Sequence, residues 1–281
     1  MIFIRERYNM HPTLVRIGPL EIRYYGLMYV IAIVVGIILL RTEIPRKRIS
    51  MTKDDIIGFA FWTVIGGIIG ARIYYVIFMW SSFYVQNPLE IFAIWHGGLA
   101  IHGGIIGGSA AVFLYAKVKK LNFFDLNDAV SPMLALGQAF GRFGNFMNGD
   151  AHGIPTGLPW GIVFPRESVA GDEFPGQPLH PVMLYELALN LMSFFILWKL
   201  RKKDHKSGFI FATYILNYGV IRFFVSFLRA DSLMLGRLRG AQVLSAIFVV
   251  GALAFILVFR LRTREETPKK QKTKAALRRG E

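Results

Sequence analysis

Apolar residues along this 281-residue chain come in long blocks rather than in amphipathic stripes. A membrane crossing takes about 20 mostly apolar residues. The blocks therefore predict an all-α integral membrane protein with seven transmembrane helices. The spans are Tyr24 to Leu40, Ile56 to Trp80, Gly98 to Ala116, Ala129 to Met147, Val182 to Trp198, Gly208 to Leu228 and Ala241 to Phe259. Residues 1–23 have neither the uninterrupted apolar core nor the small-residue cleavage site of a signal peptide, so the first span is expected to direct insertion.

Cationic residues orient the spans. Arg41, Arg46, Lys47, Arg48 and Lys53 follow the first, Lys117, Lys119 and Lys120 the third, and Lys199, Arg201, Lys202, Lys203 and Lys206 the fifth. The tail from Arg260 onward is dense in Lys and Arg, whereas Arg166 is the only cation between Asn148 and Pro181. The positive-inside rule then puts the N-terminus outside and the C-terminus in the cytoplasm. The chain divides into an extracytoplasmic segment 1–23, a seven-helix membrane domain 24–259 and a basic cytoplasmic tail 260–281. Within the membrane domain, 150–180 forms a small extracytoplasmic loop region rich in Gly and Pro. A connection of that length is functional or disordered, and the sequence leaves both open.

The formal charge of +15 and the pI near 10.1 change this picture little. The cations sit between apolar blocks and in the tail, as topology requires, so nucleic acid is not the expected partner. The chain contains no cysteine, which excludes disulfides, thiolate metal sites and a cysteine nucleophile of its own. No internal repeat of the kind found in many secondary transporters is visible.

Candidate chemistry lies where charge interrupts the outer ends of spans, because ionisable groups are costly there. Gly137-Gln138-Ala139-Phe140-Gly141-Arg142-Phe143-Gly144-Asn145-Phe146-Met147-Asn148-Gly149-Asp150 places an arginine, two asparagines and an aspartate where a span should meet water. Gly137, Gly141 and Gly144 are expected to admit close neighbours. Asn145 and Asn148 follow Arg142 at i+3 and i+6, forming a polar ledge beside a guanidinium suited to bidentate phosphate binding. Arg142 could equally pair with Asp150 or Asp128, or reach toward headgroups. His102 lies about one turn inside the third span, where an imidazole can act as a general base or serve only as a satisfied hydrogen-bonding group. His96 and His102, six apart, make a poor metal pattern, and no metal or cofactor is expected. The glycines around them are read as helix contacts, since no phosphate-loop signature follows. Tyr25 opens the first span as a donor or an aromatic-belt residue. Glu186, in the fifth span, needs a cationic partner, and Arg222 and Arg229 could supply it or bind an anion. Arg237 and Arg239 add to the same face, so an anionic ligand is expected there.

Gly141 to Gly149, His96 to Gly104, Tyr24-Tyr25-Gly26-Leu27-Met28 and Leu179-His180-Pro181 to Glu186 closely resemble the prolipoprotein diacylglyceryl transferases, over about Arg16 to Phe259. The resemblance implies a seven-span enzyme of the bacterial inner membrane with its active site toward the extracytoplasmic side. It implies transfer of diacylglyceryl from phosphatidylglycerol to the lipobox cysteine of a prolipoprotein signal peptide, forming a thioether and releasing glycerol phosphate. By matching position, Arg142 and Arg229 look like the essential arginines, His102 the proposed base and Tyr25 a donor. Asn145 and Glu186 look like supporting groups, with Asn148, Asp150 and Arg222 beside them. Three positions depart from the family pattern: Asp150 replaces a glutamate, His96 stands where an acidic residue is common, and Ser226 replaces a glutamate flanked by Arg222 and Arg229.

The chemistry agrees with that pattern. A thiol with a pKa near 8.5 must be ionised, and the departing phosphate needs its charge met by fixed cations. The rival class is a transporter or flippase of an anionic lipid, which would bind the same headgroup without breaking a bond. A membrane scaffold has no use for several desolvated arginines on one side.

Overall fold

The computed structural model describes residues 10–18, 20–230, 234–236 and 238–262. A short hairpin comes first, with β1 Thr13–Ile17 paired antiparallel to β2 Leu20–Arg23, and it runs directly into α1 Tyr24–Arg46. Helices α2 Lys53–Phe78, α3 Ile101–Val118 and α4 Phe123–Asn148 follow, then a short α5 Val169–Glu173, α6 Val182–Leu200 and α7 Phe209–Val225. A second hairpin, β3 Met234–Leu235 with β4 Leu238–Arg239, leads into α8 Gly240–Val258. The two hairpins are additions to the all-helical expectation, formed in connections too short to read as spans.

Six helices, α1, α2, α3, α6, α7 and α8, are long and apolar enough to cross a membrane. The remaining expected span, Ala129 to Met147, is helical within α4, 26 residues long, but Asp125, Asp128 and Arg142 dilute its apolar character and α4 is not one of the six. Its polar positions point inward, with Asp128 and Ser131 buried. The remaining helices repeat this inverted pattern. Ile73, Ile77, Ile106, Val250 and Leu257 are exposed while Glu186, Asn190, Ser193 and Thr213 are buried, as expected for a multi-pass protein surrounded by hydrocarbon.

Contacts group into two units, one from Met1–Gly36 and Val130–Glu281, the other Ile37–Ala129. In the second unit, α2 and α3 pack through glycine. A side chain at Gly107 would strike the backbone of Gly66 and Gly70, and one at Gly103 would strike Gly70, so the helices approach closer than any Cβ allows. Thr52 and Asp55 form a capping box that starts α2. Lys119, just past α3, donates to Asp55 at 2.6 Å, which holds its ammonium above the ordinary value. Buried Asp128 is met by Lys47 at 3.0 Å.

The connection from α2 to α3 is held by one side chain. Arg72, buried near the end of α2, donates from Nε to Ile91 O at 2.9 Å and from Nη1 to Gly97 O at 2.6 Å and Gly98 O at 3.0 Å. Its Nη2 donates to Glu90 O and to Ala93 O. These five bonds match the five N–H donors of a guanidinium. The segment Gly97 to Ala100 is thereby kept extended, and α3 begins at Ile101 rather than at Gly98.

In the first unit, residues 150–181 form an ordered cap. Thr156 N donates to Pro178 O at 2.8 Å, Leu179 N to Ile162 O at 2.9 Å and Ala170 N to Gly149 O at 2.9 Å. Beneath these bonds Met10, Phe164, Ala170, Leu179 and Met183 form a buried cluster. A loop that carries its own apolar core and pairs its backbone has no reason to be disordered.

Because the α2–α3 contact has no room, Gly107→Val should cost about 1–3 kcal/mol through overpacking and lower the melting temperature in detergent. Gly108→Ala, which meets only ordinary van der Waals contacts, should leave it within about a degree, and thermal unfolding of the two variants decides the point.

Candidate active site

One carboxylate gathers the cations of the first unit. Glu186 lies on the second turn of α6 and is 2% exposed. Arg142, near the end of α4, donates from Nε to Glu186 Oε2. Arg222, on the last turn of α7, reaches Oε1 through Nη1 at 3.1 Å, and Arg229 reaches the same oxygen through Nη1 at 3.3 Å. Three helices and one loop thus converge on a single anion.

Arg229 is fixed from its backbone. It forms an antiparallel bridge with Gly153, while Ile154 N donates to Leu228 O at 2.9 Å and Ala230 N to His152 O at 3.2 Å. Arg239 donates from Nη1 to Arg229 O at 2.9 Å and also to Ser226 O. The guanidinium of Arg239 therefore serves carbonyls at the end of α7, a favourable place for a cation. Arg237 lies outside the described residues.

Three guanidinium groups share one carboxylate among the described residues, so Arg142 and Arg222 have no acid to themselves. Among the described residues Arg222 uses Nη1 alone in a hydrogen bond, and Arg142 uses Nε with Glu186 and Nη1 with Asn145 Oδ1 at 3.2 Å. Both keep further N–H donors for another acceptor. The side chains of Arg142 and Arg222 are 24% and 25% exposed, so they are not sealed in.

The expected ledge beside Arg142 exists in part. Asn145 bonds both Arg142 and Asp150, its Nδ2 donating to Asp150 Oδ1 at 2.7 Å. Asn148 instead turns to Asp150 Oδ2 at 3.5 Å. Arg142 pairs with neither Asp150 nor Asp128. Tyr25 packs its ring against Gly144, where any Cβ would collide with it, and its hydroxyl lies 3.0 Å from that of Tyr29. Gly141 faces open space, so its expected role in close packing does not hold.

His102 belongs to the second unit. It is the second residue of α3 rather than one turn within it, because the extended Gly97–Ala100 segment delays the helix. Its imidazole is exposed and stacks on Tyr74 with centroids 5.9 Å apart. His96 pairs with Glu90 at 2.8 Å.

A small cavity of about 30 Å³ opens against the cluster, lined by Gln138, Arg142, Glu186, Asn190, Tyr218, Ile221 and Arg222. Gln138, Asn190 and Tyr218 escaped the reading of the sequence. Their signal was a four-residue offset from Arg142, Glu186 and Arg222, one helical turn along the same face.

A family model described as prolipoprotein diacylglyceryl transferase matches residues 12–258, nearly the whole chain. The chain belongs to the prolipoprotein diacylglyceryl transferase family. It is 44% identical to the phosphatidylglycerol–prolipoprotein diacylglyceryl transferase of Fusobacterium nucleatum, an alignment covering 88% of this chain and 97% of that one. It is also 44% identical to the enzyme of that name from Nostoc sp., covering 90% of each, and 42% identical to that of Clostridioides difficile, covering 83% and 89%. Family membership favours a transferase over the lipid transporter that intramembrane cations alone would allow.

Within this diacylglyceryl transferase the three positions expected to depart from the family pattern find partners. Asp150 collects the amides of Asn145 and Asn148. His96 acquires a carboxylate from Glu90. Ser226 donates to Phe223 O at 2.7 Å and offers its own carbonyl to Arg239, while the nearby Arg222 takes its counterion from Glu186.

Replacing the shared carboxylate leaves three like charges together, and breaking a buried ion pair from one side costs about 3–5 kcal/mol. Glu186→Gln should therefore melt well below the parent protein in neutral detergent. It should recover part of the loss in micelles containing phosphatidylglycerol, which restores an anion, and not in phosphatidylcholine. Equal melting temperatures in both would contradict the charge argument.

Proposed function

We propose that this chain transfers the diacylglyceryl group of phosphatidylglycerol to the lipobox cysteine of a prolipoprotein, as the first modification of bacterial lipoproteins. The observation that carries the reading is the convergence of three guanidinium groups on Glu186, with N–H donors of Arg142 and Arg222 still available. A phosphodiester brings one negative charge and leaves as a phosphate monoester with up to two, so fixed guanidinium groups bind the leaving group more strongly than the substrate. Stabilisation that grows along the reaction coordinate is what accelerates it.

In this scheme Arg142, Arg222 and Arg229 hold the phosphate, with Asn145 steadying Arg142 and Tyr25 donating nearby. The cysteine sulfur attacks the glyceryl carbon bearing the phosphate oxygen. The carbon–sulfur bond forms, the carbon–oxygen bond breaks, and glycerol phosphate leaves with the electron pair. His102, whose exposed ring makes no hydrogen bond among the described residues, receives the thiol proton. Asp150 and Asn148 support the loop side of the site.

The membrane arrangement follows the same logic. Helix α4 is the seventh crossing, tolerated because its polar residues face protein rather than lipid. The N-terminus lies outside, residues 260–281 form a basic cytoplasmic tail, and the 150–180 cap covers the active site on the extracytoplasmic side of the cytoplasmic membrane. Donor lipid enters sideways and the signal peptide docks alongside.

Mass spectrometry of a lipobox peptide incubated with purified protein and phosphatidylglycerol vesicles tests the assignment. Arg142→Ala should reduce thioether formation by about 10²–10³-fold, and Arg142→Lys should restore little because an ammonium cannot make the forked contact. His102→Gln should cost about 10²–10⁴-fold. Undiminished turnover by Arg142→Ala at matched protein levels removes the phosphate site from this place. Undiminished turnover by His102→Gln moves only the base.

A further inference from the structure

Below the charged cluster lies a second, uncharged layer. Gln138 precedes Arg142 by four residues on α4, Asn190 follows Glu186 by four on α6, and Tyr218 precedes Arg222 by four on α7. Helices α4 and α7 approach the cluster with their C-terminal ends and α6 with its N-terminal end, so all three offsets point the same way, one turn farther from the cap. The six residues line the one small cavity.

The hydrogen-bonding state of this layer is incomplete. Gln138 Nε2 donates to Tyr214 OH at 3.0 Å, but its buried Oε1 has no partner among the described residues. A buried polar atom without a partner is rare and costly. Asn190, 5% exposed, and Tyr218 line the same space of about 30 Å³ beside it. That volume admits about two waters, or the hydroxymethyl end of a small polyol.

We propose that Gln138, Asn190 and Tyr218 form a headgroup-reading pocket that selects a phospholipid whose phosphate carries a hydroxylated, uncharged alcohol. This rests on the reading of the arginine cluster as the phosphate site and adds the determinant of donor specificity. With the phosphate on Arg142 and Arg222, the headgroup alcohol extends one turn deeper, where amide oxygens accept its hydroxyl hydrogens and an amide N–H or the Tyr218 hydroxyl can donate in return. An ammonium-bearing headgroup is repelled by the guanidinium groups of Arg142 and Arg222 above it. A headgroup without hydroxyls leaves Gln138 Oε1 unpaired, and sites built to hydrogen-bond a hydroxyl discriminate strongly against its absence.

The test compares two donors of equal charge and acyl composition, phosphatidylglycerol and phosphatidyl-1-propanol, in mixed micelles with the full-length protein and a lipobox peptide. The readout is the ratio of kcat/KM values for thioether formation. The parent protein should favour phosphatidylglycerol by about tenfold or more, as one or two buried hydrogen bonds provide. Gln138→Leu and Asn190→Leu should reduce the ratio to about twofold, and the near-isosteric Tyr218→Phe should give an intermediate value. A parent protein indifferent to the hydroxyls overturns the pocket. So do variants that keep the parent ratio, which would mark the space as holding water only, and variants that lose both donors in parallel, which would make the residues scaffold. Failure of the phosphate reading looks different: Arg142→Ala would then turn over phosphatidylglycerol normally whatever the ratio.

Discussion

The interior of the first unit depends on one carboxylate held in common. Among the described residues Glu186 joins Arg142 of α4, Arg222 of α7 and Arg229 of the loop that follows. A buried anion lowers the repulsion between guanidinium groups enough for them to stand together. Without it the helices that carry those cations would be driven apart. The same carboxylate leaves N–H donors of Arg142 and Arg222 unused, so the junction is both a fastening and a polar surface.

The surroundings can be understood as means of holding that junction in register. The cap between Asn148 and Pro181 does not merely cover it, because Gly153 and Ile154 pair with the strand-like stretch that carries Arg229. Arg239 then secures the other side of that stretch through two carbonyls. Tyr25 is seated on Gly144, so the start of α1 is set against the last turns of α4. Side chains that must present a charge within a few tenths of an ångström are thus anchored through backbone, which has few rotamers to lose.

Much of this was legible beforehand, for identifiable reasons. Long apolar blocks gave the helices within a few residues, and Arg142, Glu186, Arg222 and Arg229 stood out because charge is rare inside such blocks. Which acid met which base was not legible: local spacing suggested Asp150 or Asp128 for Arg142, whereas the partner came from a helix 44 positions away. The two hairpins went unseen because strands of two to five residues are too short to stand out in a search for membrane-length apolar blocks. The α3 boundary was misplaced because the glycines at 97 and 98, both with positive φ, keep the chain extended where apolarity alone would continue a helix. Gln138, Asn190 and Tyr218 look like ordinary polar interruptions until the helices are aligned and their common offset becomes visible.

The coordination of Arg72 carries a consequence of its own. Every acceptor around that guanidinium is a peptide oxygen, a group that all residue types carry alike. A clasp made from an arginine and a carboxylate would be lost with one substitution of the acid. This one is addressed to backbone alone, so the side chains at 90, 91 and 93 can change while the approach to α3 keeps its shape.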